Sequence, residues 1–319
     1  MAGDMTIAII IPIYNQAQYL RACLDSLVAQ TDGDFVAYCV NDGSTDGSQS
    51  IIDEYAARDA RFVPVRQPNR GLSAARNAGL VAAEERGGAE AYMFLDSDDF
   101  FHAQCVEFVR RAAKEHPECI IDFDYAEGGS AEAFRKRVYC YDSSCVRSFR
   151  GTGTSVNKLY PRSVLGGHRF AEEVRYAEDI VFTTVLALKR RPMYFQLPIE
   201  LLYYTVNPNS MSRVPFDAEN FLRRVGAIER LVRDFADDPR GLRTLIEGPL
   251  PSLMKRFYRD LVHRVRPDEV MSARQIFARE CASLSRRGLL VRDRSSFKDV
   301  KYYLIFKWLA FWNIPSFPV

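Results

Sequence analysis

An unbroken apolar run over residues 7–13 (IAIIIPI) has the pattern of a strand buried on both faces of a parallel sheet. Residues 19–29 then place apolar side chains at Leu20, Cys23, Leu24 and Leu27, a helical spacing. A second strand is predicted over residues 35–40, closed by the polar turn 41–47 (NDGSTDG), with Thr45 or Asp46 as N-cap of a helix over 48–57. A third strand over 62–66 leads through Pro68–Gly71 into a small-residue helix over 73–85, and a fourth over 91–95 stops at Asp96-Ser-Asp-Asp99. Such alternation predicts an α/β layer with a mainly parallel central sheet. Ligands of such sheets gather outside the carboxyl ends of the strands. The polar clusters at Tyr14–Asn15, Asn41–Asp46 and Asp96–Asp99 each follow a strand directly and are therefore expected along one sheet edge.

Beyond Phe100 the pattern is less regular. Residues 120–125, 134–141 and 194–204 read as strands and 179–188 as a helix. After Pro215 helical spacing prevails, near residues 218–235, 250–265 and 272–286. These patterns divide the chain into a domain over residues 1–213 and a helical, basic region over 214–319.

Composition supports that division. The chain has 319 residues, 47% hydrophobic and 26% charged, with net charge +2, as expected of a globular protein. Residues 213–319 hold 21 of the 43 basic residues and 13 of the 41 acidic ones, so the first part is acidic and the second basic. The 7 cysteines form no CxxC pair, and the short apolar run at residues 7–13 is no export signal, which together point to the cytoplasm. His102, His116, His168 and His263 share no metal-ligand spacing.

Among the motifs, Asp96-Ser-Asp98 puts two carboxylates at the end of a rigid strand, a donor set suited to a hard divalent cation such as Mg²⁺ or Mn²⁺. Asp42 follows the second strand and is free to accept hydrogen bonds. In residues 69–79 (NRGLSAARNAG), small residues explain close helix–sheet packing but leave Arg76 and Asn77 unaccounted for; Arg76 suits a carboxylate or a phosphate. Glu178-Asp179 opens a helix, where the helix dipole favours acidic residues.

Five segments in order, residues 9–15 (IIIPIYN), 19–27 (YLRACLDSL), 40–48 (VNDGSTDGS), 69–79 and 94–99 (FLDSDD), resemble the signature of glycosyltransferase family 2. The resemblance implies the nucleotide-sugar-binding fold called GT-A and an inverting, metal-dependent sugar transfer. Pro12 and Tyr14 would line the base pocket, Asp42 would meet the edge of a uracil-type ring, and Arg76 would lie near the nucleotide. Asp96 would contact ribose or metal, and Asp98 would be the main protein ligand of the ion. Residues 155–160 (SVNKLY) are similar to the family's Trp-Asn-Lys-Leu-Tyr segment, with Val156 where tryptophan is common. Asn157, Lys158 and Glu178 would then face the acceptor, Asp179 would be the catalytic base, and Arg213 would belong to a lid. The expected partners are a UDP-sugar donor and a glycan or lipid-linked acceptor, in bacterial surface-polysaccharide assembly.

Residues 301–314 (KYYLIFKWLAFWNI) are too short to span a bilayer but fit an anionic membrane surface, which would place the protein at the inner face of the membrane. Packing on the chain's own domain or on a second copy in a homodimer fits equally. No nucleic-acid recognition motif accompanies the basic residues. A nucleotidyltransferase or a dinucleotide-dependent oxidoreductase would need a glycine-rich loop after the first strand, and residues 12–18 contain no glycine. A catalytically silent, sugar-binding scaffold would have no need of Asp42, Asp96, Asp98 and Asp179 together.

Overall fold

The computed structural model describes residues 5–141, 147–148, 153–207 and 218–247, with residues 249, 250, 253 and 275. The chain divides into two compact units, one of residues 1–173 and 178–207, the other of residues 174–177 and 208–319.

The first unit opens with β1 (Ile7–Ile13), α1 (Ala17–Val28), β2 (Phe35–Asp42), α2 (Ser48–Arg58), β3 (Phe62–Gln67), α3 (Leu72–Glu85) and β4 (Ala91–Phe94). It continues with β5 (Phe100–Phe101), α4 (Cys105–Glu115), β6 (Ile120–Glu127), α5 (Ala131–Arg135), β7 (Arg147–Ser148), β8 (Lys158–Pro161), α6 (Arg162–Leu165), α7 (Glu178–Arg190) and β9 (Tyr194–Tyr204). One sheet runs β3-β2-β1-β4-β8-β6-β9-β5, with β7 also on β9. The long pairings of β1 with β2 and β4, β2 with β3 and β6 with β9 are parallel. The short ones, of β8 with β4 and β6 and of β9 with β5 and β7, are antiparallel.

Pro12 sits in a central strand, where proline is normally excluded because it cannot donate to the ladder. Its position resolves the conflict. The Ile10 carbonyl accepts from Leu95 N at 3.0 Å, so Ile10, and two residues on Pro12, face β4. The register with β4 ends at Ile10–Phe94, so the missing N–H points where there is no strand to receive it. On top of β1 and β2 lies α3, held close by Gly79: a Cβ there would stand 2.4 Å from Ile10 Cγ2 and 3.1 Å from Val40 Cγ2. The small residues of residues 69–79 therefore do serve packing, as their spacing suggested.

One reading of the middle of the chain needs correction. Residues 134–141 do not form a strand. Ser130 accepts from Ala133 N at 3.2 Å and caps the short helix α5, and Phe134 turns inward against Phe100, Tyr203 and the His102 ring. The sequence pattern does not single out helix α4, although its Cys105, Val106, Phe108, Val109, Ala112 and Ala113 are all buried. Cys23, Cys39, Cys105 and Cys119 are free and buried, and burial pushes the Cys39 thiol up to about 12.

In the second unit α8 (Ala218–Asp234) and α9 (Pro239–Glu247) are described. Asp238 accepts from Gly241 N at 2.9 Å and caps α9, with Pro239 at the first helical position, where it loses no hydrogen bond. Among the described residues no helix is long and apolar enough to cross a membrane. Residues 301–314 lie outside the described residues, as does Arg213.

Candidate active site

The loops after β1, β2 and β3 are stitched together at the carboxyl edge of the sheet. Asn15, with a left-handed φ of 53°, donates from N to Ser44 Oγ at 3.0 Å, and its Oδ1 accepts from Thr45 N at 2.8 Å. Helix α2 starts at Ser48, as its pattern predicts, but its N-cap position is Gly47 rather than Thr45 or Asp46. Asp46 instead accepts from both Ser48 N and Ala17 N, joining two loops. Gly43 has φ 72°, and a Cβ there would meet Asn69 N at 2.7 Å, so only glycine allows the third loop to close in.

Asp42, the last residue of β2, is buried. Its Oδ1 accepts from Gln67 Nε2 at 2.6 Å and Arg70 N at 2.8 Å, its Oδ2 from Gly71 N at 2.8 Å. Asp42 thus holds the loop that leads into α3. Pro12 is buried in β1, while Tyr14, two residues on, is 47% exposed.

Arg76 forms the centre of the site. It is 1% exposed, and its guanidinium lies 5.1 Å from the Phe170 ring centre. Nη2 donates to Asp96 Oδ1 at 2.8 Å, and Nη1 reaches Asp179 Oδ1 at 2.8 Å and Glu178 Oε1 at 3.2 Å. One guanidinium thus joins the end of β4 to the first turn of α7. Burial raises the Asp96 carboxyl above its ordinary range, against the pull of Arg76. Burial and the adjacent Asp179 charge push Glu178 up to about 7.

Asp98 and Asp99 diverge. Asp98 is half-buried and its Oδ2 accepts from Asn207 Nδ2 at 3.1 Å. Asp99 is 1% exposed; Oδ1 accepts from Thr205 N at 2.8 Å, and Oδ2 is buried without a hydrogen-bond partner. Burial, with the Asp96 and Asp98 charges, pushes its carboxyl up to about 9. Because that value lies above the unfolded one of about 4, the folded chain binds the extra proton between them. The contribution of Asp99 to stability is full below about pH 4 and declines as pH rises through about 9. Asp99→Asn, which cannot ionise, is expected to gain stability relative to wild type progressively from about pH 5 to about pH 8, read as melting temperatures in metal-free buffer.

Asn77 and Phe170, 93 residues apart, pair like two strand residues: Asn77 Nδ2 donates to Phe170 O at 3.0 Å and Phe170 N donates to Asn77 Oδ1 at 2.9 Å. That pair presents the Phe170 ring beneath Arg76, stacked on Phe182 with ring centres 3.9 Å apart. Asn157 and Lys158 are buried in a second network. Lys158 Nζ pairs with Asp122 Oδ2 at 2.8 Å, and Asn157 Nδ2 donates to Asp122 Oδ1 at 3.1 Å and Phe123 O at 2.6 Å. Burial raises the Asp122 carboxyl, with Lys158 opposing. Both side chains are thereby committed to the interior, and Val156 beside them is a core residue. The rings of His102 and His168 each pair with a backbone carbonyl, of Arg137 and Phe182, at 2.9 Å.

A site residue that motif spacing did not single out is Ser155. It is fully buried and donates from Oγ to Asp179 Oδ1 at 2.6 Å. Only the fold brings these two residues, 24 apart in sequence, together.

The sequence profile of glycosyl transferase family 2 matches residues 8–172, which spans β1 to the loop carrying Phe170 and Glu172. The chain belongs to glycosyl transferase family 2. Within the family it is 33% identical to the glycosyltransferase EpsH of Bacillus subtilis over 190 residues, 56% of this chain and 54% of that one. It is 29% identical to a poly(ribitol-phosphate) beta-glucosyltransferase of Bacillus spizizenii over 239 residues, 72% of this chain and 36% of that one. The chain therefore spans about half the length of the first relative and about a third of the second. The crystal structure of S. aureus TarS residues 1–349 in complex with UDP-GlcNAc shares the fold, with a TM-score of 0.69 at 19% identity over 96% of this chain and 89% of that one.

Proposed function

We propose that the chain is an inverting glycosyltransferase that moves a sugar from a UDP-sugar to a hydroxyl of a glycan or lipid-linked acceptor, with Asp179 as base. The observation that carries this reading is the reach of Arg76: Nη2 holds Asp96 at the end of β4 and Nη1 holds Asp179 on α7. A carboxylate on the donor edge and a carboxylate fit to take a proton are thus fixed across one guanidinium, an arrangement suited to displacement at a carbon between them. UDP is the nucleotide of choice because a protein of this fold, TarS, holds UDP-GlcNAc. The poly(ribitol-phosphate) substrate in the name of a relative favours a surface-polymer acceptor.

Among the described residues no three acidic, cysteine or histidine side chains form a complete metal cage. A cation that also takes diphosphate oxygens and water needs only one or two protein carboxylates. Asp98, half-buried, and Asp96, with 30% of its side chain exposed, fit that requirement. They would hold Mn²⁺ or Mg²⁺, which when bound supplies Lewis-acid stabilisation of charge on the departing diphosphate.

The acceptor oxygen attacks the anomeric carbon, its proton passes to Asp179, and the bond to the diphosphate breaks with its electron pair leaving on the phosphate oxygen. With one base and no protein nucleophile, the anomeric configuration inverts. Tyr14 offers an exposed ring to the base, while Asp42 acts through the loop it holds. The helical region from residue 214 would carry the protein to an anionic membrane surface or to a second copy of itself. A panel of UDP-, GDP- and dTDP-sugars with Mn²⁺ is expected to raise the melting temperature most for a UDP-sugar, with the gain reduced by a chelator. Equal shifts from all donors, or none, would count against the reading.

A further inference from the structure

We propose that Ser155 is a positioning residue that fixes the catalytic carboxylate so that Oδ2 of Asp179 is the proton-accepting atom. This rests on the reading of Asp179 as the base.

Oδ1 of Asp179 receives two donors, Arg76 Nη1 at 2.8 Å and Ser155 Oγ at 2.6 Å. A terminal carboxylate otherwise turns broadly about its last torsion. Two donors on one oxygen, one from α3 and one from the segment before β8, remove that freedom and turn Oδ2 away from both. A carboxylate only accepts, so the Ser155 hydroxyl must donate here.

Ser155 is itself firmly held. Its carbonyl accepts from the Tyr160 hydroxyl at 3.2 Å, and Tyr160 is a fully buried ring packed against Phe94 and Phe182. The Thr183 hydroxyl lies 2.8 Å from the Asp179 carbonyl oxygen and 3.1 Å from that of Gly153, bolting the segment of Ser155 to the first turn of α7.

The arrangement has a chemical consequence. When Oδ2 takes the acceptor's proton, Oδ1 becomes the carbonyl oxygen of the acid and still accepts from Arg76 and Ser155. The hydrogen bonds of the resting base therefore persist in the protonated base, so the transfer needs no reorganisation around it.

The test compares wild type, Ser155→Ala, Ser155→Thr and Asp179→Asn. It measures nucleotide release from the sugar donor that shifts wild-type melting most, with Mn²⁺ and water as acceptor. Ser155→Ala is expected to lower kcat on the order of tenfold while donor KM stays put and the melting temperature falls by only a few degrees. Ser155→Thr, which keeps the hydroxyl, is expected to restore most of the loss. A Ser155→Ala kcat within about twofold of wild type, with Asp179→Asn inactive, would overturn the role of Ser155 alone. So would a loss that tracks a larger fall in melting temperature and is not restored by threonine. Full turnover by Asp179→Asn, or no release by wild type from any donor, would overturn the underlying reading and this inference with it.

Discussion

Replacing Arg76 by methionine is expected to destabilise the first unit by about 3–5 kcal/mol, because it removes the counter-charge from partly buried carboxylates. The melting temperature should fall by roughly ten degrees for a unit of this size. The side chains of Asp96, Glu178 and Asp179 are 30%, 12% and 23% exposed, so water alone does not screen them. Methionine keeps the volume against Phe170 but offers no donor, which separates loss of charge from loss of packing. The deficit is expected to shrink as pH falls, since protonation relieves the uncompensated carboxylates. Lysine is expected to recover only part of it: a compact ammonium cannot present two nitrogens to Asp96 and Asp179 at once. Chemical denaturation of the three proteins at two pH values checks all of this.

The second large effect concerns Asp179. Asp179→Asn is expected to lower turnover by about 10²–10⁴, the contribution of a positioned general base. Asparagine keeps an oxygen that can accept from Arg76 and Ser155, so the fold and the donor edge at Asp96 and Asp98 stay in place. Donor binding, read as a melting shift with Mn²⁺, is therefore expected to match wild type. Loss confined to turnover is the signature of a group that acts in the transition state. Near-normal turnover would remove Asp179 from the base role.

Much of the donor side was legible before the fold was known. The strands β1, β2, β3 and β4 are short, strongly apolar runs, each closed by a polar cluster, and their parallel order places those clusters on one edge. What could not be read was tertiary pairing. Arg76 suits a carboxylate or a phosphate and does meet carboxylates, but its partners Glu178 and Asp179 lie 102 and 103 residues away, and only the fold delivers them. Asn77, which small-residue packing leaves unaccounted for, serves to pin Phe170. Asn157 and Lys158 carry polar groups that suit an acceptor site, but Asp122 takes both inside. Residues 134–141 end in a β-prone run (VYCY) that mimics a strand, and the cap at Ser130 with the burial of Phe134 decides for a helical turn at their start. Short elements such as β8 carry too few residues to show a period, so the segment bearing Ser155 stood without a structural context.

The most direct test of the account is the anomeric configuration of the sugar first released. Proton NMR, taken early in the reaction of wild-type protein with an α-linked UDP-sugar, Mn²⁺ and water as acceptor, should show the β anomer appearing first. Initial release of the α anomer would contradict a single displacement assisted by Asp179.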